Sequence, residues 1–153
     1  GLTASALHSA PSLVLDPRAS ALETVGKQAL AAGEFDKAID SFEAALAIQP
    51  GSITLTLDLA AAQRKQGLQG KALHYYRVAL GYDSQNLDAI AGEGAALVEK
   101  GAVEKARRNL ARLQTLCGTC SQVKDLSDAI TRGPTPKMVS AQDVTPSPTV
   151  TNN

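Results

Sequence analysis

The stretch Gly33–Pro50, which reads GEFDKAIDSFEAALAIQP, decides the fold of this chain. Its first glycine recurs at Gly67 and at Gly101, each 34 residues after the one before. A small residue precedes each glycine, an alanine follows it, and a bulky apolar residue comes next, at the same spacing every time. These positions are Gly26, Ala60 and Gly94, then Ala38, Ala72 and Ala106, then Phe42, Tyr76 and Leu110. A period of this length predicts three stacked copies of one structural unit.

Each unit is predicted to be a pair of antiparallel helices. A glycine just after a helix supplies the left-handed backbone that ends it. The small residues before and after that glycine are expected to face each other, so that the two helices approach closely. The bulky residue then fills the space between units, and Pro50 ends the first unit because proline cannot continue a helix. The predicted helices span residues 19–32, 35–48, 53–66, 69–82, 87–100 and 103–116.

A seventh, shorter helix is predicted at residues 121–131, with Ser121 as its N-cap. Val123, Leu126 and Ile130 follow at helical spacings of three and four, which places them on one apolar stripe. A stack of helical units exposes its last hydrophobic face unless a further element covers it. The seventh helix is therefore expected to be a cap.

The segment Gly33–Pro50 resembles the second half of a tetratricopeptide repeat (TPR) of the bacterial type. The resemblance extends from about Ala19 to Cys120 and implies an all-α fold, an α-solenoid of three TPR helix-turn-helix units plus a C-terminal capping helix. The units implied are residues 19–52, 53–86 and 87–120, with the cap at 121–131. The later units depart from the family pattern at Gln69, where an aromatic residue is usual, at Ser84, which replaces a closing proline, and at Leu113, which replaces an alanine.

Two segments flank the repeats. Residues 1–18 are predicted to be a flexible lead, although its apolar run Leu13–Leu15 is expected to dock on the solenoid. Residues 132–153 are rich in proline, threonine and serine, and are predicted to be a disordered tail.

Composition argues against several classes of function. The Lys+Arg total of 15 equals the Asp+Glu total of 15, so the chain lacks the basic charge of a nucleic-acid binder. No apolar run approaches the ~18 residues of a membrane-spanning helix. No glycine-rich phosphate loop or nucleophile elbow is present, and His74 is interpreted as a partly exposed helix residue. The chain is therefore predicted not to be an enzyme and to hold no cofactor or metal.

Cys117 and Cys120 form a Cys-x-x-Cys motif that has several interpretations. Catalytic redox chemistry normally places this motif after a strand, and none is predicted here. The pair is half of a zinc ligand set without a second half, and Ser121 stands where haem attachment requires histidine. A structural disulfide between the last solenoid helix and the cap is favoured over two reduced thiols. A disulfide, with the missing start methionine, favours a periplasmic or otherwise extracytoplasmic protein over a cytoplasmic one.

The TPR resemblance also implies a binding surface, because the first helices of TPR units line a concave groove that contacts peptides. The implied candidates are Glu23, Thr24, Lys27, Leu30 and Ala31; Leu57, Asp58, Ala61, Arg64 and Lys65; and Ala91, Gly92, Ala95, Val98 and Glu99. Leu57, Asp58 and Ala61 stand where the family's carboxylate clamp needs lysine, asparagine and arginine, so a cytosolic heat-shock co-chaperone is not expected. The apolar strip Leu30, Leu57, Ala61, Ala95 and Val98 favours an apolar or amphipathic ligand. Lys27, Arg64 and Lys65 are expected to steer an acidic or amphipathic ligand.

These observations predict a non-enzymatic scaffold or adaptor that binds a protein or peptide, within a bacterial envelope complex. A self-assembling structural TPR protein is one alternative, and it would be a homo-oligomer. A redox or metal accessory protein that uses Cys117 and Cys120 is the other.

Overall fold

The computed structural model of the protein describes residues 14–134, and this range contains seven α-helices and no strand. In chain order they are α1 (Pro17–Ala31), α2 (Phe35–Ile48), α3 (Ile53–Lys65), α4 (Gln69–Tyr82), α5 (Leu87–Glu99), α6 (Val103–Cys117) and α7 (Ser121–Arg132). Every boundary lies within two residues of its predicted position, and the predicted all-α solenoid is confirmed. The tail from residue 135 and the first part of the lead lie outside the described residues.

The helix ends follow from particular residues. Gly33, Gly67 and Gly101 have φ of +77°, +87° and +86°, as expected of the glycine that ends each first helix. The next first helix begins at a polar cap: the Ser52 hydroxyl accepts a hydrogen bond from the Leu55 amide at 3.2 Å. The Asn86 side chain caps α5 in the same way. These caps satisfy amide groups that would otherwise lack partners.

Helix α1 begins two residues earlier than predicted, which shortens the lead. Pro17 occupies the first turn, where its missing amide hydrogen costs nothing. Asp16 caps the helix by accepting a hydrogen bond from the Arg18 amide at 2.8 Å. The 34-residue repeat predicts a start at residue 19, after this Asp-Pro pair, although the pair itself is a start signal.

The small residues of the repeat are buried, but they do not all meet the partners predicted for them. Ala38, Ala60 and Ala72 are fully buried, and so is Gly26. A Cβ atom placed on Gly26 would lie 2.5 Å from the Phe42 ring rather than against Ala38. The glycine therefore makes room for the bulky residue of its own unit.

The bulky residues fill the spaces between units, as predicted. Phe42 packs with Leu59 of the second unit, and Tyr76 packs with Leu97 of the third. Leu110 packs against the cluster of Ile90, Leu113 and Leu126, which joins the third unit to the cap. Each unit is thus held to the next by apolar burial, the dominant favourable contribution to folding.

The capping role of α7 is confirmed by its packing against α5 and α6. Leu126 is only 1% exposed, and a Cβ atom placed on Gly94 would lie 2.7 Å from the Leu126 methyl carbons. Val123 and Ile130 pack in the same cluster. The predicted stripe therefore covers the end of the solenoid.

The end of the lead docks on the first unit. Leu15 is half-buried against Ala19 and Leu55, whereas Val14 is exposed. The Gln49 side chain accepts a hydrogen bond from the Asp16 amide at 2.7 Å and donates one to the Val14 carbonyl at 3.4 Å. The expected docking holds for Leu15, while Leu13 lies outside the described residues. None of the described helices has the length and apolar character that crossing a membrane requires.

Candidate functional site

A groove runs along the first helices of the second and third units and along the cap. The first helices adjoin in the order α1, α3, α5, and α7 follows α5. Two neighbouring cavities of about 340 and 390 Å³ open between α3, α5 and α7. Tyr76 and Asp88 form part of the wall of both, so the cavities are consecutive stretches of one groove.

The floor of the groove depends on a glycine. Tyr76 reaches from α4 to Gly92 on α5, and a Cβ atom at position 92 would overlap its ring. The ring is 4% exposed, and its burial raises the pKa of the phenol. Gly92 thus allows an aromatic side chain to lie between two first helices and to contribute to the groove wall.

Most of the predicted groove residues of the second and third units lie at these cavities. Leu57, Asp58 and Ala61 line the smaller one. Arg64, Ala91, Ala95, Gly92 and Glu99 line the larger one. That these residues bind a ligand remains a prediction.

The predicted apolar strip is shorter than expected, and Val98 does not belong to it. Val98 is 1% exposed, and it packs in the core cluster with Leu73 and Tyr76, against which Ile130 of the cap also lies. The TPR resemblance implied that Val98 lies on the groove side, but its side chain packs in the core cluster instead. Ala95 is 8% exposed and reaches the groove only as part of its floor.

The outlying candidates do not reach the cavities either. Leu30 is half-buried against the Phe42 cluster. Lys27 and Lys65 are exposed but line neither cavity. These three side chains therefore do not line the groove.

The predicted basic flank is also neutralised by neighbouring acids. Lys27 pairs with Glu23, with Nζ and Oε1 2.8 Å apart. Arg64 pairs with Glu99 across α3 and α5, with Nε and Oε1 3.7 Å apart. Sequence patterns along one helix do not show an ion pair between two helices, so the pairing of Arg64 with Glu99 could not be predicted in this way.

Helix α7 contributes groove residues that sequence reasoning missed. Gln122, Asp125 and Arg132 line the larger cavity opposite α5. A signal was present, because α3, α5 and α7 begin at residues 53, 87 and 121, again 34 apart. The cap therefore takes the place of a fourth first helix and forms one wall of the groove.

Two carboxyl groups interact beside the smaller cavity. Burial and a hydrogen bond with Glu23 raise the pKa of Asp58 to about 7. Partial burial raises the pKa of Glu23, but hydrogen bonds with Lys27 and Asp58 outweigh it and lower the pKa overall. As two carboxylates they have no hydrogen to share, and Asp58 Oδ2 is then buried without a partner among the described residues. A proton on Asp58 supplies the missing donor.

Cys117 and Cys120 face each other across the turn between α6 and α7. Their Cα atoms are 5.6 Å apart and their sulfur atoms are within bonding distance. This separation falls in the range that a disulfide needs. The oxidation state of the pair in its own compartment stays a prediction. Within residues 14–134, no three histidine, cysteine, aspartate or glutamate side chains cluster as a metal site.

This arrangement, three helix pairs with a capping helix and a groove along their first helices, is the fold of a TPR domain. Comparison with protein-family models and with curated proteins finds no match. Among solved structures, the Sgt2 TPR domain from Aspergillus fumigatus superposes with a TM-score of 0.70 at 24% identity, over 81% of this chain and 83% of that one.

Two further neighbours are complexes. The TPR2B domain of yeast Sti1, in a complex with pHsp70, has a TM-score of 0.69 at 15% identity and covers 76% of this chain and 96% of that one. The type III secretion chaperone SycD of Yersinia enterocolitica, in complex with a peptide of the translocator YopD, has a TM-score of 0.64 at 20% identity, over 74% and 86% of the two chains. These likenesses establish the fold.

Proposed function

We propose that this chain is a non-enzymatic adaptor that holds a peptide or helix of another protein in the groove between α3, α5 and α7. The observation that carries the proposal is the pair of consecutive cavities, which have Leu57, Ala61 and Ala95 among their apolar lining residues. An exposed apolar concavity on a soluble helical scaffold is a frequent site of peptide recognition. The structural neighbours support the same use, since the Sti1 and SycD structures are complexes with pHsp70 and with a YopD peptide.

The groove does not suit the acidic C-terminal peptides of chaperones. The neighbour described as the first TPR of Spaghetti (RPAP3) is bound to the HSP90 peptide SRMEEVD. At the positions of the family's clamp this chain carries Leu57, Asp58 and Ala61, and none of these has a positive charge with which to form an ion pair with a carboxylate. The proposed ligand is therefore of another class.

A charge-bearing substitution in the floor tests the proposal. Leu57→Arg with Ala61→Glu introduces two charges into the smaller cavity, and both positions are open enough to accept them. The matched control, Ala44→Arg with Ala47→Glu, places the same charges on exposed positions of α2. We expect both proteins to remain helical by circular dichroism and only the control to recover the native partner in a pull-down. A groove variant that stays folded and recovers the same partner at full yield would place the binding site elsewhere.

We propose the envelope compartment separately, and its support is the cysteine pair at disulfide geometry. Self-assembly is the competing function, and light scattering of the purified chain over a range of concentrations distinguishes it. A rise in mass that the groove variant does not abolish would favour self-assembly over partner binding.

A further inference from the structure

The groove is acidic, contrary to the charge that its sequence suggested. The walls of the two cavities carry acids from three different helices. The acids are Asp58, Asp88, Glu99, Asp125 and Asp128, and the bases are Arg64 and Arg132. The excess is local, since the whole chain has a formal net charge of +0.

Two of these acids, Asp88 and Asp125, form no ion pair within the described part of the chain. Arg64 is paired with Glu99, and Asp128 is paired with Lys124, with Oδ2 and Nζ 2.7 Å apart. Asp88 accepts a hydrogen bond from the neutral amide of Gln122, at 2.9 Å. Asp58 keeps its proton up to a pH of about 7 and therefore adds little charge. Uncompensated negative charge thus faces the groove from α5 and α7.

We propose that the groove selects a cationic amphipathic segment of its partner. Apolar side chains of that segment would pack on Leu57, Ala61 and Tyr76, while lysine or arginine side chains would reach Asp88 and Asp125. This inference rests on the proposed function and adds the chemical class of the ligand. A concave surface with one sign of charge raises the association rate of oppositely charged segments and repels like-charged ones.

Peptide binding to the full chain tests the charge preference. The probes are three fluorescent peptides with one leucine–alanine pattern, whose polar positions carry lysine, glutamate or serine. We expect the lysine peptide to bind more tightly than the serine peptide, and the glutamate peptide to bind least. The advantage of the lysine peptide should shrink as the salt concentration rises, because salt screens exposed charges.

Variants then locate the effect. Asp88→Asn with Asp125→Asn removes two groove charges, and Asp40→Asn with Glu43→Gln removes two exposed charges from α2 as a matched control. We expect the groove variant to bind the lysine peptide about five- to tenfold more weakly and the control to match the native chain. Equal loss in both variants would overturn the proposal, since attraction would then be to overall charge.

Different results would contradict the charge preference and the proposed function of the groove. If the glutamate peptide binds as tightly as the lysine peptide, and Leu57→Arg with Ala61→Glu abolishes both, the charge preference is wrong and the groove still binds peptides. If none of the probes binds, the charge preference is overturned. If the native partner also binds normally to the Leu57→Arg, Ala61→Glu protein, the groove function is overturned as well.

Discussion

Asp58 on α3 and Glu23 on α1 interact through their carboxyl groups, so that neighbouring units meet at a pair of acids next to the groove. Lys27 faces this pair from α1, and Asp88 faces the same cavity from α5. Burial of Asp58 and its hydrogen bond with Glu23 outweigh the attraction of Lys27 and raise the pKa of Asp58 to about 7. The contact between the first two units is therefore sensitive to pH near neutrality.

The Asp58–Glu23 pair predicts that the free energy of unfolding declines as pH rises. The pKa of Asp58 is raised from 3.8 to about 7 in the folded chain. Between these values the folded state holds a proton that the unfolded state has lost, so the free energy of unfolding falls as pH rises through this range. The lowered pKa of Glu23 acts in the opposite direction, but mainly at more acidic pH, near and below its ordinary value of 4.5. From about pH 5 to pH 7 the contribution of Asp58 should dominate.

Asp58→Asn tests this assignment, because asparagine donates to Glu23 at every pH. We expect its melting temperature to exceed that of the native chain at about pH 8 and the gap to narrow towards pH 5. Asp40→Asn, at an exposed position of α2, is the control and should follow the native curve. Parallel curves for Asp58→Asn and the native chain would mean that Asp58 titrates normally.

Gly26 predicts a substitution whose effect runs against helix propensity. Gly26→Ala would place a methyl group 2.5 Å from the ring of Phe42, which is fully buried and has no space to retreat. Overpacking of this kind costs about 1–3 kcal/mol, which exceeds the gain of up to ~1 kcal/mol from replacing a helical glycine. Urea denaturation should show a net loss of stability.

Gly81→Ala is the matched control, because Gly81 lies in α4 with nothing within 4 Å of the added methyl group. There only the propensity effect remains, and the free energy of unfolding should rise by up to ~1 kcal/mol. If both alanines stabilised the chain, the close contact between α1 and Phe42 would be incorrect.

Gln49 predicts how firmly the lead is attached. Its side chain bonds to the Asp16 amide and the Val14 carbonyl, and no other described side chain bonds to both. Gln49→Ala should therefore cost about 0.5–1.5 kcal/mol and increase amide exchange at Asp16. Gln85→Ala, at an exposed loop residue, should change neither quantity. Unaltered exchange at Asp16 in the first variant would show that the Gln49 side chain does not hold the lead in place.

The sequence predicted the helices well because each boundary depends on local chemistry. Gly33, Gly67 and Gly101 act through their own backbone, and the 34-residue period fixes the register of the units. The groove was harder to predict, since its properties arise between helices. The burial of Val98 and the pairing of Arg64 with Glu99 depend on side chains distant in the chain.

The acidity of the groove was missed for a related reason. Neither Asp88 nor Asp125 was among the groove residues that the TPR resemblance implied. Asp88 and Asp125 come to one surface because α7 occupies the place that a fourth first helix would take. The composition of α5 already pointed to the correct sign, because this helix carries Asp88, Glu93 and Glu99 and no base.

The cysteine pair predicts a chemical state and a change in stability. Cys117 and Cys120 flank the turn that connects the last solenoid helix to α7, and α7 is one wall of the groove. In chain purified from an oxidising compartment without reductant, mass spectrometry should show the loss of two hydrogens. Because the closed loop is short, the entropic model of disulfides gives a stabilisation of only about 2 kcal/mol. Cys117→Ser with Cys120→Ser should therefore lower the free energy of unfolding by about that amount and leave the protein folded.

Adding reductant separates the bond from the serine substitution itself. The native chain should lose about as much stability in reductant as the double variant loses without it, and the double variant should not respond. The loss of protection against hydrogen exchange should be greatest for the amides of α7, because the turn that precedes α7 gains freedom. The Leu126 side chain should stay packed against α5. Hydrogen exchange measured helix by helix resolves this difference. Two free thiols in freshly isolated protein, with no response to reductant, would remove the support for an extracytoplasmic location while leaving the groove proposal intact, since its walls are held by apolar packing rather than by this bond.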